Sequence, residues 1–337
     1  MADTSAATLF GKVTSSAPAG NDMSLDGEAM GTDQLPSPEV AIALVESLIF
    51  PTNPLMQTYE KIRVPIVLRT SGCWFSGASG EGKSTAAVYC VEALRTEFPL
   101  MPAFYLNAHM LPATASRSIP IRLLAEVEHK VLGGDPTKLR IRMARTIAER
   151  ASQSSLRQCV LVIDEAQTLR IQDLFLLKDI SNDLAGYSTG LLTIMFGESP
   201  KMELLESRIR SGEDFGLAER FFTRRLTLCP YSLESDWKSL LEKMDESRFP
   251  ELNGVTVPEA FLTDSHGKPY QLANESNRLW KALGRKTKGT PALTLRRIFT
   301  GIRWWILNAR EPVRSQKPIP KDLWTRAMAY AGCVDLD

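Results

Sequence analysis

Nothing in this chain gathers sulfur or imidazole for metal or redox work. Cys73, Cys90, Cys159, Cys229 and Cys333 lie far apart without a C-x-x-C pair, and His109, His129 and His266 are equally scattered. That spacing argues against a disulfide framework and against a zinc site, and points to the reduced thiols of a cytoplasmic protein. A hydrophobic run approaching the ~20 residues of a membrane helix is missing, and the polar, acidic amino-terminal stretch is unlike a signal peptide. No charge dominates either: Lys+Arg 40 against Asp+Glu 39 leaves +1. With no global field to draw it to nucleic acid or membrane, any such contact has to come from a local patch. At 337 residues and 44% hydrophobic, the chain can build a full α/β core with a smaller second domain.

Residues 1–38 are rich in Ala, Ser, Gly, Asp and Thr without a sustained period, and read as a disordered or partner-binding arm. Folded sequence is expected from 39 onward, with a helical stretch around 56–63. Strands are expected at Cys73-Trp74-Phe75, at Ala103 to Asn107, at the unalternating run Cys159 to Ile163, at Leu191 to Phe196 and at Leu226 to Leu228. Continuous apolar runs of this kind suit strands buried on both faces of a parallel sheet. Helical patterns lie between them, including 119–132 and 139–152, separated by the breaker Gly133-Gly134-Asp135-Pro136. Beyond about 231 only helical patterns remain, at 237–244, 270–283 and 294–309. The fold class is therefore α/β, a doubly wound parallel sheet followed by a smaller helical domain.

Between the first strand and the helix after it, Gly77-Ala78-Ser79-Gly80-Glu81-Gly82-Lys83-Ser84 matches G-x-x-x-x-G-K-[ST] without a gap. Glycines open backbone torsions closed to other residues, so that successive N–H groups can turn inward around a phosphate at a helix N-terminus, here continued by Thr85. In such a loop Lys83 reaches the β and γ phosphates of ATP and Ser84 ligates Mg²⁺. Asp164-Glu165 closes the third strand, where one carboxylate holds the metal's hydration shell and the next polarises an attacking water. Asp164 takes the first role and Glu165 the second. Thr193 and Glu198-Ser199 lie at or past the fourth strand, where Ser199 is placed to sense the γ phosphate or simply to turn before Pro200. Arg220, Arg224 and Arg225 lie just before the last strand. They suit either a finger completing a neighbour's site or a solvated face paired with Glu213, Asp214 and Glu219. Lys288-Gly289-Thr290-Pro291 leads into a helix whose Arg296 is able to reach back to phosphates, or to face solvent.

Together these residues resemble the AAA+ ATPases over about 40 to 310. Within that superfamily the chain looks most like the TnsC/TniB regulators of transposition. The likeness rests on its short single-module length, the Asp164-Glu165-Ala166-Gln167 form of the second motif, and Arg220-Phe221 before the last strand. The resemblance implies an AAA+ P-loop domain over 39–230, an α-helical lid and C-terminal segment over 231–337, and ATP with Mg²⁺ as cofactors. It also implies a slow regulatory ATPase of the bacterial cytoplasm that forms a ring or helical filament on duplex DNA and meets target-selector proteins and a transposase. DNA contacts are then expected after the second strand, from Arg117, Lys138, Arg140 and Arg142. The Gly-x-Pro of the lid lacks the arginine that often follows it directly. A nucleotide-gated scaffold without DNA binding, and a replication-initiator or helicase-loader ATPase, share the same motifs.

Overall fold

The computed structural model describes residues 42–111, 115–212, 215–284 and 294–334. The expected amino-terminal arm and the Lys288-Gly289-Thr290-Pro291 turn fall outside these residues. The chain divides into two compact units, one running Asn53–Pro230, the other formed by the described residues up to Thr52 together with those from Tyr231 onward.

In the first unit, α1 (Asn53–Val67) leads to β1 (Gly72–Gly77), α2 (Lys83–Glu97), β2 (Ala103–Asn107), α3 (Ala115–Glu126), α4 (Pro136–Ala151) and β3 (Gln158–Asp164). Then come α5 (Ile171–Gly186), β4 (Gly190–Glu198), α6 (Lys201–Ser211), α7 (Phe215–Phe221) and β5 (Arg225–Leu226). The strands form one parallel sheet in the order β2-β3-β4-β1-β5. The run from Gln158 to Asp164 is buried at every position, as helices on both faces of a parallel sheet require. On neighbouring central strands Phe75 and Phe196 stand in register with ring centroids 4.6 Å apart and planes 3° from parallel. One apolar cluster runs from Trp74 and Phe104 through Leu139, Met143 and Ile147 of α4 to Leu174 and Leu177 of α5. The expected α/β sheet is thus present.

Three expected spans differ. The 119–132 helix starts earlier, at Ala115, and stops at Glu126 because Glu128 turns to φ 54° and His129 N–H closes on the Leu124 carbonyl. β5 has two residues, since the Thr227 carbonyl already takes the Lys61 ammonium at 2.7 Å. The 270–283 helix is regular only over Ser276–Leu283, and the turn before it docks the Leu272 and Ala273 N–H groups on the Asp245 carboxylate.

The second unit contains α8 (Glu234–Glu246), α9 (Val257–Phe261), α10 (Ser276–Leu283), α11 (Leu295–Arg314) and α12 (Leu323–Tyr330). Trp305 and Trp324 stack at its centre at 4.6 Å, and buried Glu275 accepts the Trp324 indole N–H at 2.9 Å. Ile42, Val45, Leu48 and Phe50 join this cluster, Phe50 edge-on to Phe249 at 5.2 Å. Residues 42–52, assigned by sequence to the nucleotide-binding domain, therefore lie in the helical unit. Their apolar spacing was legible, but not which core it faces.

Gly72 opens β1 under the end of α7. A Cβ there would stand 2.5 Å from the Arg220 carbonyl oxygen and 2.8 Å from Phe221 Cα, both backbone atoms with no side chain to yield. Gly72→Ala is expected to destabilise the protein by about 2 kcal/mol through overpacking. An unchanged midpoint in a denaturant titration would contradict this packing.

Candidate functional site

β1 carries the chain into the glycine loop, where Gly80 at φ 81° and Gly82 at φ 85° take left-handed torsions that glycine adopts at no steric cost. Gly82 is the N-cap of α2 and offers no side chain to its first N–H groups. Those donors are left to a ligand at the positive end of the helix dipole. Lys83 is 7% exposed, and its ammonium donates to the carbonyls of Gly77 at 3.1 Å and Ala78 at 2.6 Å. The Ala78 N–H donates to the Glu81 carboxylate at 2.9 Å, so a loop amide already holds an anionic oxygen. Ser84 and Thr85 are exposed at the start of the helix.

One strand away from β1, β3 delivers Asp164, 2% exposed. Its Oδ1 accepts the Glu165 N–H at 2.9 Å and its Oδ2 the Tyr105 hydroxyl at 3.0 Å. Burial first, then the Asp164 charge, pushes the Tyr105 phenol far above its ordinary range, so it remains a donor to Asp164. Glu165 turns at φ 53°, and its Oε2 accepts the Gln167 side-chain amide at 2.7 Å. The other end of Gln167 accepts the Glu198 N–H at 2.9 Å. A Cβ at Gly197 would stand 3.0 Å from that Gln167 oxygen and 2.7 Å from Met202 Sδ, which ties the bridge to glycine at 197.

β4 lies between β3 and β1, with Glu198 in register with Gly77 and the Ser199 N–H donating to the Gly77 carbonyl at 2.9 Å. Lys201 pairs with Glu198 at 2.6 Å. That bond, with Lys83 nearby, pulls the Glu198 carboxyl below its usual range, and the same partner raises Lys201. The Ser199 hydroxyl points to Glu203 at 3.2 Å, and Glu203 also accepts from Ser76 at 2.7 Å and Arg225 at 2.5 Å. Desolvation acts to raise Glu203, but these donors hold it below the usual carboxylate range.

The arginines separate by partner. Arg225 is held by Glu203 and by the Trp74 ring 5.0 Å away, and Arg220 donates to Asn182 at 2.9 Å. Arg224 is exposed and, among the described residues, has no ion pair. On the helices after β2, Arg117 is exposed and Lys138 faces Asp135 at 3.7 Å. Arg140 is matched by Asp179 and Asp183 at 2.8 and 2.7 Å, and Arg142 donates to the carbonyls of Val131 and Gly133. In the helical unit the Arg296 side chain is 80% exposed, 4.0 Å from Glu46.

Sequence reasoning missed the bridging role of Gln167, the donor Tyr105, the cation Lys201 and the acceptor Glu203. Lys201 has a signal in its i, i+3 spacing from Glu198. The others are partners across strands, which spacing along the chain does not reveal.

The donor set fits a magnesium nucleotide. The open helix N-terminus, the loop ammonium and the anion-holding amide suit phosphates, while Ser84 and Asp164 suit a hydrated cation that keeps most of its waters. Among the described residues no group of three or more His, Cys, Asp or Glu side chains gathers around a metal position. No described helix is long and apolar enough to cross a membrane.

Residues 71–205 match the family described as AAA domain. A search of curated proteins returns no match. Among solved structures, Cdc6p from Pyrobaculum aerophilum aligns with a TM-score of 0.52 at 11% identity, over 82% of this chain and 67% of that one. The structure of Drosophila ORC bound to DNA aligns with a TM-score of 0.50 at 14% identity, over 91% of this chain and 70% of that one. At such identities the likeness is one of fold. The sheet, the loop and these matches give the chain an α/β AAA+ P-loop fold, with residues 71–205 similar to an AAA domain.

Proposed function

We propose that this chain is an ATP-hydrolysing AAA+ regulator of DNA transposition, which assembles on duplex DNA and links a target selector to a transposase. The observation that carries the ATPase part is the gathering of Lys83, Asp164, Glu165 and Gln167 at the carboxyl ends of β1 and β3. The DNA part is supported by the fold shared with an ORC that is bound to DNA. The transposition part rests on the Asp164-Glu165-Ala166-Gln167 motif and the Arg220-Phe221 pair. The fold shared with ORC and Cdc6p also favours a second reading, a replication-initiator ATPase, which differs in its protein partners.

The loop amides, Lys83 and Ser84 hold the phosphates, and Ser84 with Asp164 holds the magnesium. When bound, the metal neutralises charge on the transferring phosphoryl group. Glu165 orients and deprotonates the attacking water, and Gln167 fixes the direction of its carboxylate. Arg225 stays with its own chain's Glu203, which leaves Arg220 and Arg224 to reach a neighbouring subunit. Bound ATP builds the oligomer and hydrolysis dismantles it.

Lys83→Ala is expected to lose ATP binding and, with it, association with duplex DNA. Glu165→Gln should keep both while turnover falls by roughly 10²- to 10⁴-fold. Wild-type protein that ignores duplex DNA at low salt in the presence of a slowly hydrolysed ATP analogue would refute the DNA-dependent reading.

A further pair of variants tests the Gln167 bridge. Gln167→Ala should lower kcat roughly tenfold or more and leave the ATP Kd unchanged. Gln167→Glu sets a second carboxylate against Glu165, and a like charge disfavours the ionised form. The acid limb of the kcat–pH profile should therefore move to higher pH, whereas a profile identical to wild type would remove Gln167 from the site's chemistry.

A further inference from the structure

We propose that α11 and the turn after it form a surface for the phosphate backbone of duplex DNA. Its residues are other than those expected after β2, and the inference rests on the DNA-binding reading above. Arg296, Arg303, Arg310 and Arg314 recur along α11 at spacings that keep them within about 40° of one another around the helix. They span roughly 27 Å, the axial length of about eight phosphates of one strand. Lys317 and Lys321 extend the row, and over 295–334 only Glu311 and Asp322 oppose it, in a chain whose net charge is +1.

Among the exposed arginines elsewhere on helices, Arg117 and Arg208 have no ion pair among the described residues, but four others show a charge matched within its own helix. Arg63, Arg95, Arg145 and Arg210 each pair with a carboxylate three or four residues away on the same helix. On α11 that pattern breaks. Arg310 and Arg314 are four apart and alike in charge, a repulsive spacing. Glu311 turns to the Ser315 hydroxyl at 2.7 Å, and among the described residues neither Arg310 nor Arg314 has an ion pair. The other end of the stripe is matched, with Glu46 2.6 Å from Arg303 and 4.0 Å from Arg296.

A second feature extends the surface onto α12, which packs against α11 where Gly301 leaves room for Met328. Trp304 and Tyr330 stack at 5.7 Å, and Arg326 lies over the Trp304 ring at 5.9 Å. Tyr330 is 66% exposed. Arg326 occupies a face of Trp304 on which a base would have to stack, so the rings serve to hold a guanidinium in place. Unpaired arginines on α11, with Arg326 of α12 beside them over an aromatic ring, suit sequence-independent contact with phosphates. By contrast, Arg140 and Arg142 after β2 already spend their donors on carboxylates and carbonyls of their own unit.

The test is fluorescence anisotropy of a labelled mixed-sequence duplex with a slowly hydrolysed ATP analogue, from about 50 to about 200 mM salt. It compares full-length wild type with Arg310→Gln/Arg314→Gln/Arg326→Gln. Losing three phosphate contacts should weaken binding roughly 30-fold at low salt and flatten the log–log salt dependence by roughly 3. Thermal midpoint and DNA-free ATP turnover should stay at wild-type values, which separates the effect from misfolding. A variant with wild-type affinity and salt slope overturns the α11 assignment and leaves the DNA-binding reading standing. Wild-type protein that binds no duplex refutes that reading and this surface with it. Binding to anionic lipid vesicles but not to the duplex overturns the assignment in favour of a membrane.

Discussion

The pairing of β4 with β1 is the constraint on which the site depends. It sets Glu198 beside Gly77 and closes the Ser199 N–H on the Gly77 carbonyl, so the first glycine of the phosphate loop is fixed to the end of β4. Because β4 also pairs with β3, the same strand sets the distance between the loop and the acidic pair. Gln167 completes the link from the other side, bonding the end of β4 to the Glu165 carboxylate. The loop thus has a short, hydrogen-bonded route to the Glu165 carboxylate. A parallel sheet with its strands' carboxyl ends aligned favours such an arrangement, since polar ends meet where the apolar runs stop.

Charge matching decides which groups are free for work. Glu203 gathers Ser76, Ser199 and Arg225 into one knot, so two residues that spacing offers to the nucleotide are bound to a carboxylate on α6. Arg140 is cancelled by two aspartates in the same way. Arg224 and the outer arginines of α11, like Arg117 and Arg208, have no ion pair among the described residues, so their charge is not cancelled within the chain. In a chain so close to neutral, function depends on which charges are left over rather than on their sum.

Much of this was legible because backbone geometry and burial write themselves into residue type. The loop needs glycine at the left-handed positions 80 and 82, and the strands are unbroken apolar runs because both faces are covered. Asp164-Glu165 shows where the third run stops. The illegible parts are choices of partner. Ser199, Arg225 and Arg140 look available in one dimension and are engaged in three, while Gln167 and Tyr105 look ordinary until strand order brings the Glu198 N–H to the one and the Asp164 carboxylate to the other. Residues 42–52 were assigned to the wrong core for a similar reason, since an apolar period shows that a face is buried without showing against what.

The central claim is that ATP is cleaved in a site built by two subunits, the loop from one and Arg220 with Arg224 from the next. Mixing Lys83→Ala protein with Arg220→Ala/Arg224→Ala protein tests it most directly, because each variant alone spoils every site. In a random mixed oligomer, interfaces that join the intact loop of one to the intact arginines of the other should recover roughly a quarter of wild-type turnover. Turnover that stays at the sum of the two separate variants would contradict a shared site.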